Sequence, residues 1–481
     1  MIAQKDLKKL SPILWEIPKN YRADMLVPAR LYATKKMLKE VFSDKTLGQL
    51  INVTTLPGIQ KAAYVMPDAH EGYGFPIGAV AATKWPNGII SPGGIGYDIN
   101  CGVRLLKTHL TYEKLKPYLQ TVTTTLYRAI PSGVGRGGNI KLTQKQFNLV
   151  LENGVLWTLQ ENYAEKEDLA SIESSGKLEN ADASCVSQHA KSRGHDQLGT
   201  MGAGNHFVEV DKVDQIFDDQ TAEKFAIFKD QIVILIHTGS RGLGHQVATD
   251  YIRAMLKVMP KYRITLPDRQ LACVPYQSPE GTAYFAAMAA SANFAWANRQ
   301  LITWEVRQAW KRVLGKTGGN LDLLYDVAHN IAKIEEHSLD GIKTKLIVHR
   351  KGATRAFGPG HPELNKKYQL TGQPVIIPGS MGTASYILVG TSESMHQAFG
   401  STCHGAGRRL SRHQAKKEVN SNQLLHALKT KGIVIQTGSI SALSEEAPQA
   451  YKNVDEVIEV VTGANLAKKV ARLKPLAVIK G

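Results

Sequence analysis

Gln231-Ile-Val-Ile-Leu-Ile-His237 is an unbroken apolar run that ends at a histidine and passes into the turn residues Thr238-Gly-Ser240. An apolar run of this length, closed by a turn, reads as a strand buried on both faces. Lys345-Leu-Ile-Val-His349 and Val375-Ile-Ile377 read the same way. Residues 283–314 are rich in Ala, Phe, Trp, Arg and Gln and contain neither Pro nor Gly, so one or two long helices are expected there. Gln246 to Val258 also has helical spacing. Strands and helices follow in mixed order, without a regular βαβ rhythm. The expected class is therefore α+β. Mixed central sheets flanked by helices should form a single large domain over residues 1–481, with a cleft lined by Gly-rich loops.

Composition narrows the partners. Lys plus Arg total 59 against 42 Asp plus Glu, a net charge of +17, which favours a polyanion because each basic contact to phosphate releases condensed counterions. A merely soluble basic protein, or one from a thermophile, would show the same excess. The four cysteines, Cys101, Cys185, Cys273 and Cys403, are far apart and form no CxxC pair. That argues against a disulfide framework and for a reducing, cytoplasmic compartment. The N-terminal stretch to Pro18 lacks the long apolar segment of a secretory signal. No run of about 18 apolar residues occurs, so no membrane span is expected.

The glycines cluster at 72–78, 93–102, 199–204, 239–244, 379–382 and 400–407. Glycine permits close backbone approach to a ligand. Clusters spread over more than 300 residues suggest one site assembled from many loops. Histidines stand beside these glycines or at expected strand ends: His206 in Gly202-Ala-Gly-Asn-His206, His237, His329 in Tyr325-Asp-Val-Ala-His-Asn330, and His404 in Ser401-Thr-Cys-His-Gly-Ala-Gly407. Asp98 and Cys101 lie three apart in Gly93-Gly-Ile-Gly-Tyr-Asp-Ile-Asn-Cys-Gly102 and can face one ion from a turn.

A carboxylate, a thiolate and three imidazoles are the ligand types of a transition-metal site. A thiolate can bridge two ions, and two ions about 3.5–4 Å apart would clamp a phosphoryl group. The spacing matches no compact zinc signature, and each histidine reads equally as a hydrogen-bonded loop residue. Cys101 alone reads as a small core hydrophobe. His404 differs, because Gly-rich flanks leave it accessible and Arg408, Arg409 and Arg412 follow. A neutral imidazole can attack phosphorus, and nearby amides and arginines can stabilise the phosphate charge. The alternative is a turn histidine beside a solvated basic helix face.

Taken together, the long Gly-rich segments resemble the RtcB family of tRNA-splicing and RNA-repair ligases. The matching stretches include Met66-Pro-Asp-Ala-His-Glu-Gly-Tyr-Gly-Phe-Pro-Ile-Gly78, Ser91 to Gly102, Gly202 to Phe207 and His237-Thr-Gly-Ser-Arg-Gly-Leu-Gly-His245. Others are Asp326 to Asn330, His349-Arg-Lys-Gly-Ala-Thr-Arg355, Pro378-Gly-Ser-Met-Gly-Thr-Ala-Ser385 and Gly400 to Arg408. The resemblance runs from about residue 13 to Lys480-Gly481.

The resemblance implies an enzyme that joins an RNA 3′-phosphate or 2′,3′-cyclic phosphate to a 5′-hydroxyl, using GTP and two Mn²⁺ ions. It assigns one ion to Asp98, Cys101 and His206 and the other to Cys101, His237 and His329, with Cys101 bridging. His404 becomes guanylylated, and the activated end is RNA-ppG. Guanosine-nucleotide contacts carry over to Asn205, Phe207, Glu209, His329, Asn330, Pro378, Gly379, Ser380, Met381, Ser385, His404, Gly405, Ala406, Gly407 and Lys480. Tyr451 is a further candidate for the base pocket. A carboxylate at Glu209 suits the N1–H and N2–H₂ edge of guanine. Candidate RNA contacts are Arg193, Arg241, Arg350, Lys351, Arg355, Arg408 and Arg412. Partners are RNA with such ends and, for some members of the family, the activator archease. Two other readings compete. A two-metal phosphatase or cyclic phosphodiesterase would need the ligands but not His404, and a non-catalytic RNA-binding module would need neither.

Overall fold

The computed structural model describes residues 2–481. Two large sheets organise it. The first runs edge to edge through Lys8–Lys9, Leu14–Ile17, Ala29–Tyr32, Ala63–His70, Ile77–Lys84, Ile342–Lys351 and Asn330–Leu339. The second runs through Asp322–Ala328, Gly102–Thr111, Gln231–Thr238, Phe207–Ile216, Ala467–Lys480, Ser385–Gly390 and Pro374–Ile377. Val434–Thr437 joins the long C-terminal strand in parallel. A single residue, His329, separates the last strand of one sheet from the first neighbour in the other, since Asp322–Ala328 continues directly into Asn330–Leu339. The mixed order of strands and helices is α+β, as expected.

The apolar run 231–237 forms the strand Gln231–Thr238, and every residue of it is buried. Its side chains alternate between two cores. Ile232, Ile234 and Ile236 join the cluster containing Val247, Met288 and Phe294, whereas Val233 and Leu235 join Val103, Leu105, Leu324 and Ile387. Full burial of each such side chain is worth about 1.5–3 kcal/mol. A one-residue slip would exchange the two faces and carry His237 off the sheet edge.

Residues 283–314 fall within one helix, Pro279–Leu314, of 36 residues. Ser278 caps it by accepting the Gly281 N–H, proline occupies its first position, and Gly315 follows its last residue at φ 53°. The helix is buried nearly all round between Tyr284 and Val306, as a helix without a polar face must be. The expected Gln246–Val258 helix begins earlier, at Arg241.

The second sheet creates the site through its topology. Successive strands from Asp322–Ala328 to Ala467–Lys480 are antiparallel, so one edge of the sheet receives the end of one strand and the start of the next. That edge collects Ala328, Gly102, Thr238, Phe207 and Lys480: Gly102 pairs with both Ala328 and Thr238, and Phe207 with both His237 and Lys480. Residues within one step of these strand ends must therefore meet.

Candidate active site

The residues that meet are Cys101, His206, His237 and His329. Cys101 Sγ lies 3.3 Å from His237 Nε2 and 3.5 Å from His206 Nε2, and His237 Nε2 lies 3.2 Å from His329 Nε2. Asp98 Oδ2 is 2.9 Å from His206 Nε2. Two groups result, Cys101–His237–His329 and Asp98–Cys101–His206, each with ligand atoms within 4.8 Å of one another and with Cys101 common to both. All four edge residues are buried. Gly239 is part of the design, since a Cβ there would fall 2.4 Å from Asp98 Oδ1.

The donor chemistry fits a cation. Met201 O, which can only accept, is 3.0 Å from His206 Nδ1, while Nε2 faces Asp98 and Cys101. Arg241 Nη1 also lies 2.9 Å from that Nδ1. The 2.9 Å between Nε2 and the Asp98 oxygen is filled by a ring proton or by a metal ion. The buried Nδ1 atoms of His237 and His329 have no hydrogen-bond partner. Burial pushes both imidazoles well below their usual range, with neighbouring histidines adding to the effect, so they are neutral and ligand-competent. Burial alone would raise the Asp98 carboxyl, but His206 and Arg241 hold it at about 2. Burial and Asp98 push the Cys101 thiol up, so a thiolate here requires a cation beside it.

His404 stands at the margin of this cluster, its ring centroid 5.2 Å from that of His329. It follows the short strand Ser401–Cys403, which pairs with Ala353–Arg355. Asp68 Oδ2 accepts the His404 backbone N–H at 3.1 Å and lies 2.5 Å from Nδ1, outside hydrogen-bond alignment with the ring. The Asp68 side chain is fully buried, and the His404 side chain keeps 18% exposure. Asp68 lies in the stretch Met66–Gly78, where the sequence alone assigns it no role. A carboxylate inside the otherwise apolar strand Ala63–His70 was the available signal.

The expected nucleotide residues adjoin this centre. Lys480 is buried, donates to Gly204 O at 2.8 Å and lies over the Phe207 ring at 5.6 Å, so the C-terminal strand is tied into the core. Glu209, two residues beyond Phe207 on the same strand, is buried; burial and then Asp211 raise its carboxyl well above the usual range, against Lys480. Asn205 lines the open cleft, and Asn330 Nδ2 donates to Asp98 O. Gly379 N–H donates to Ser385 Oγ at 3.1 Å, while Ser380 and Met381 complete that buried turn. Gly405 packs against Pro378, bringing this turn beside the loop His404-Gly-Ala-Gly407. Tyr451 donates its hydroxyl to Glu446, and Arg408 lies over its ring at 5.0 Å.

The arginine candidates divide. Arg193, Arg241 and Arg412 line a cleft of about 810 Å³ together with Asp98, Asn205, His206 and Lys480. Arg136, which the sequence reading did not single out, is exposed on the same wall. Arg350 and Arg355 are a correction. Arg350 is fully buried and forks onto Glu335 at 2.6 and 2.8 Å. Arg355 is 2% exposed and bonds Gln373 and Glu363. Both are spent on internal partners and do not reach the cleft surface. Lys351 is also buried, its Nζ donating to the carbonyls of Tyr73 and Phe75. Arg408 is held by Glu446 and Tyr451.

Comparison with known proteins bears on this arrangement. A family model described as tRNA-splicing ligase RtcB matches residues 49–481. A protein of Thermococcus kodakarensis named tRNA-splicing ligase RtcB is 50% identical over 477 residues, covering 99% of each chain. Proteins of the same name from Archaeoglobus fulgidus, 50% identical over 477 residues, and Nanoarchaeum equitans, 51% identical over 478, also cover 99% of each chain.

Proposed function

The chain belongs to the RtcB family, and from that premise we propose that it is a GTP- and Mn²⁺-dependent RNA ligase. It joins RNA 3′-phosphate or 2′,3′-cyclic phosphate ends to 5′-hydroxyl ends through a guanylyl-histidine at His404. The observation that carries the reading is the placement of His404, 5.2 Å from His329 ring to ring, between the ligand cluster and the buried Asp68. A phosphodiesterase has no use for a nucleophilic imidazole there, and an RNA-binding module has no use for the cluster.

Asp98, Cys101 and His206 would hold one ion and Cys101, His237 and His329 the other. Bound ions would neutralise charge on phosphoryl oxygens and keep Cys101 ionised. The Asp98 oxygen suits a harder ion than an all-thiolate site would. The Asp68 carboxylate, 2.5 Å from His404 Nδ1, favours the ring proton on that nitrogen by its charge, which leaves the Nε2 lone pair for attack. Nε2 forms a bond to the α-phosphorus of GTP, and pyrophosphate leaves. A cyclic end is first opened by water to a 3′-phosphate. An oxygen of that phosphate attacks the guanylyl phosphorus, the bond to His404 breaks, and the RNA carries a ppG end. The 5′-hydroxyl then attacks the 3′-phosphorus and GMP leaves. Glu209, Phe207, Asn205 and Lys480 form the guanosine pocket with the 378–385 and 404–407 turns, and Asn330 and Tyr451 border it. Arg193, Arg241 and Arg412 line the path of the RNA.

One catalytic domain over residues 1–481 is part of this reading, since the residues it uses run from Asp68 to Lys480. Among the described residues no helix is long and apolar enough to cross a membrane. The reading places the enzyme in the cytoplasm, with cleaved tRNA halves or other RNA bearing such ends as substrate and archease as a candidate activator.

Incubation with Mn²⁺ and GTP labelled at the α-phosphate tests the core of it. Acid-labile, alkali-stable label on the wild type and none on His404→Ala is the expected result. Absence of label on folded, metal-loaded wild type would overturn the guanylylation step.

A further inference from the structure

We propose that Asn298 and Arg299, adjacent on the buried helix Pro279–Leu314, are positioning residues that set the spacing of the metal ligands. The inference rests on the metal reading above and concerns residues outside the cluster. Both side chains are fully buried.

Arg299 uses every donor it has. Nε and Nη2 donate to the two oxygens of Asp326, each at 2.8 Å. Nη1 donates to Asn100 O at 2.8 Å and to Thr238 O at 2.9 Å, and Nη2 also reaches Asn100 Oδ1 at 3.1 Å. Asn100 immediately precedes Cys101, Thr238 immediately follows His237, and Asp326 lies three residues before His329. The strand ladder between Gly102–Thr111 and Gln231–Thr238 ends at the Gly102–Thr238 pair. Nη1 thus bridges the two strands where their own pairing stops. A Cβ at residue 102 would sit 3.0 Å from Arg299 Cζ and 2.4 Å from Val327 O, so glycine at this position admits the guanidinium.

Asn298 completes the frame on the other side. Its Oδ1 accepts the N–H groups of Gly199 at 2.7 Å and Thr200 at 3.0 Å, and its Nδ2 donates to Thr200 O at 3.0 Å and Gly239 O at 3.1 Å. The next residue, Met201, supplies the carbonyl that fixes the His206 ring. Two neighbouring side chains therefore hold the backbone beside Cys101, His206 and His237 and, through Asp326, the strand leading to His329. Ligand atoms 3.2–3.5 Å apart tolerate little backbone drift, and groups that orient ligands typically govern about 10- to 100-fold in metal affinity.

The same helix carries an internal control. Arg307 forks onto Asp168 at 2.7 and 2.8 Å, but its remaining bonds go to Leu321 O, away from every ligand loop. Arg299→Lys and Arg307→Lys each break a fork on this helix, and only the first touches the ligand frame. Co²⁺ titration of the full chain, read by the thiolate-to-metal absorption band and by affinity, separates the two. Melting temperature is recorded alongside. The expected result is a melting temperature lowered in both variants, with Co²⁺ affinity about 10- to 100-fold weaker and the band altered in Arg299→Lys alone. Wild-type Co²⁺ affinity and spectrum in folded Arg299→Lys would overturn the proposal. Should that variant fail to fold, Asn298→Ala decides it: weaker Co²⁺ binding supports the proposal, and wild-type binding overturns it. Absence of Co²⁺ binding by the wild type would instead overturn the metal reading beneath it.

Discussion

Along the sheet edge Cys101, His206, His237 and His329 are each at most 4% exposed and lie within bonding reach of one another, whereas on the cleft wall Arg136 and Arg193 are exposed and Arg412 keeps half its side chain in solvent. The floor is assembled by strand register before any ligand arrives. The wall is a set of separate cations, and Arg412 has only loose ion pairs, its Nε 3.7 Å from Glu446 and 3.9 Å from Glu445, without a hydrogen bond to either. A buried group must be satisfied on folding, so its geometry is fixed by the protein. An exposed cation has solvent as its partner, so the fold leaves its geometry open to an anion.

The largest effect expected from this contrast is at the shared floor residue. Cys101→Ala removes a ligand from both groups, so bound metal measured on the purified protein should fall from two ions to near none, and RNA joining should fall to background. Retention of one tightly held ion would show that the two groups do not share Cys101. Next comes the carboxylate behind the nucleophile. Asp68→Asn keeps the size of the side chain but gives up the charge that favours the His404 ring proton on Nδ1. The rate of His404 guanylylation should drop by about a hundred- to ten-thousand-fold, with metal content unchanged. An unchanged labelling rate would remove Asp68 from the chemistry.

That carboxylate marks the boundary of what the sequence reveals. The residues of the cluster were legible because strand ends, glycine and histidine coincide in short segments, and the apolar run at 231–237 announced the strand that carries His237. Asp68 was not, because a lone acid in a buried strand declares itself only when its partner, 336 residues away, is known. Arg350 and Arg355 failed for the converse reason. A cation flanked by glycine motifs looks exposed until folding brings Glu335 and Glu363 against it. The long helix was legible as a helix, but its polar pair Asn298 and Arg299 gains meaning only from the loops it faces.

The wall supplies the next test. Arg412→Ala should weaken RNA binding several-fold and reduce the dependence of log K on log salt by roughly 0.7, measured by fluorescence anisotropy across ionic strength, without lowering the melting temperature. Arg355→Ala should do the reverse. It takes a buried cation from Gln373 and Glu363, while Glu173 keeps Lys333, and should cost about 1–3 kcal/mol of stability with an unaltered salt slope. A salt slope that moves in Arg355→Ala would erase the distinction between spent and free cations.

Asp211 supplies the smallest and sharpest test, because it is a buried acid on the floor strand that no partner satisfies. It is fully buried, and neither carboxylate oxygen has a hydrogen bond. Burial raises its carboxyl to about 8. Between an ordinary carboxylate value and 8 the unfolded chain has lost this proton while the folded chain keeps it, so unfolding releases a proton and stability falls as pH rises through that window. Asp211→Asn cannot lose the proton. Its stability relative to wild type should therefore be unchanged near pH 4 and should climb steadily toward pH 8, read from urea melts at several pH values. A difference that stays flat with pH would mean that Asp211 finds a partner, and that burial on this strand costs the floor nothing.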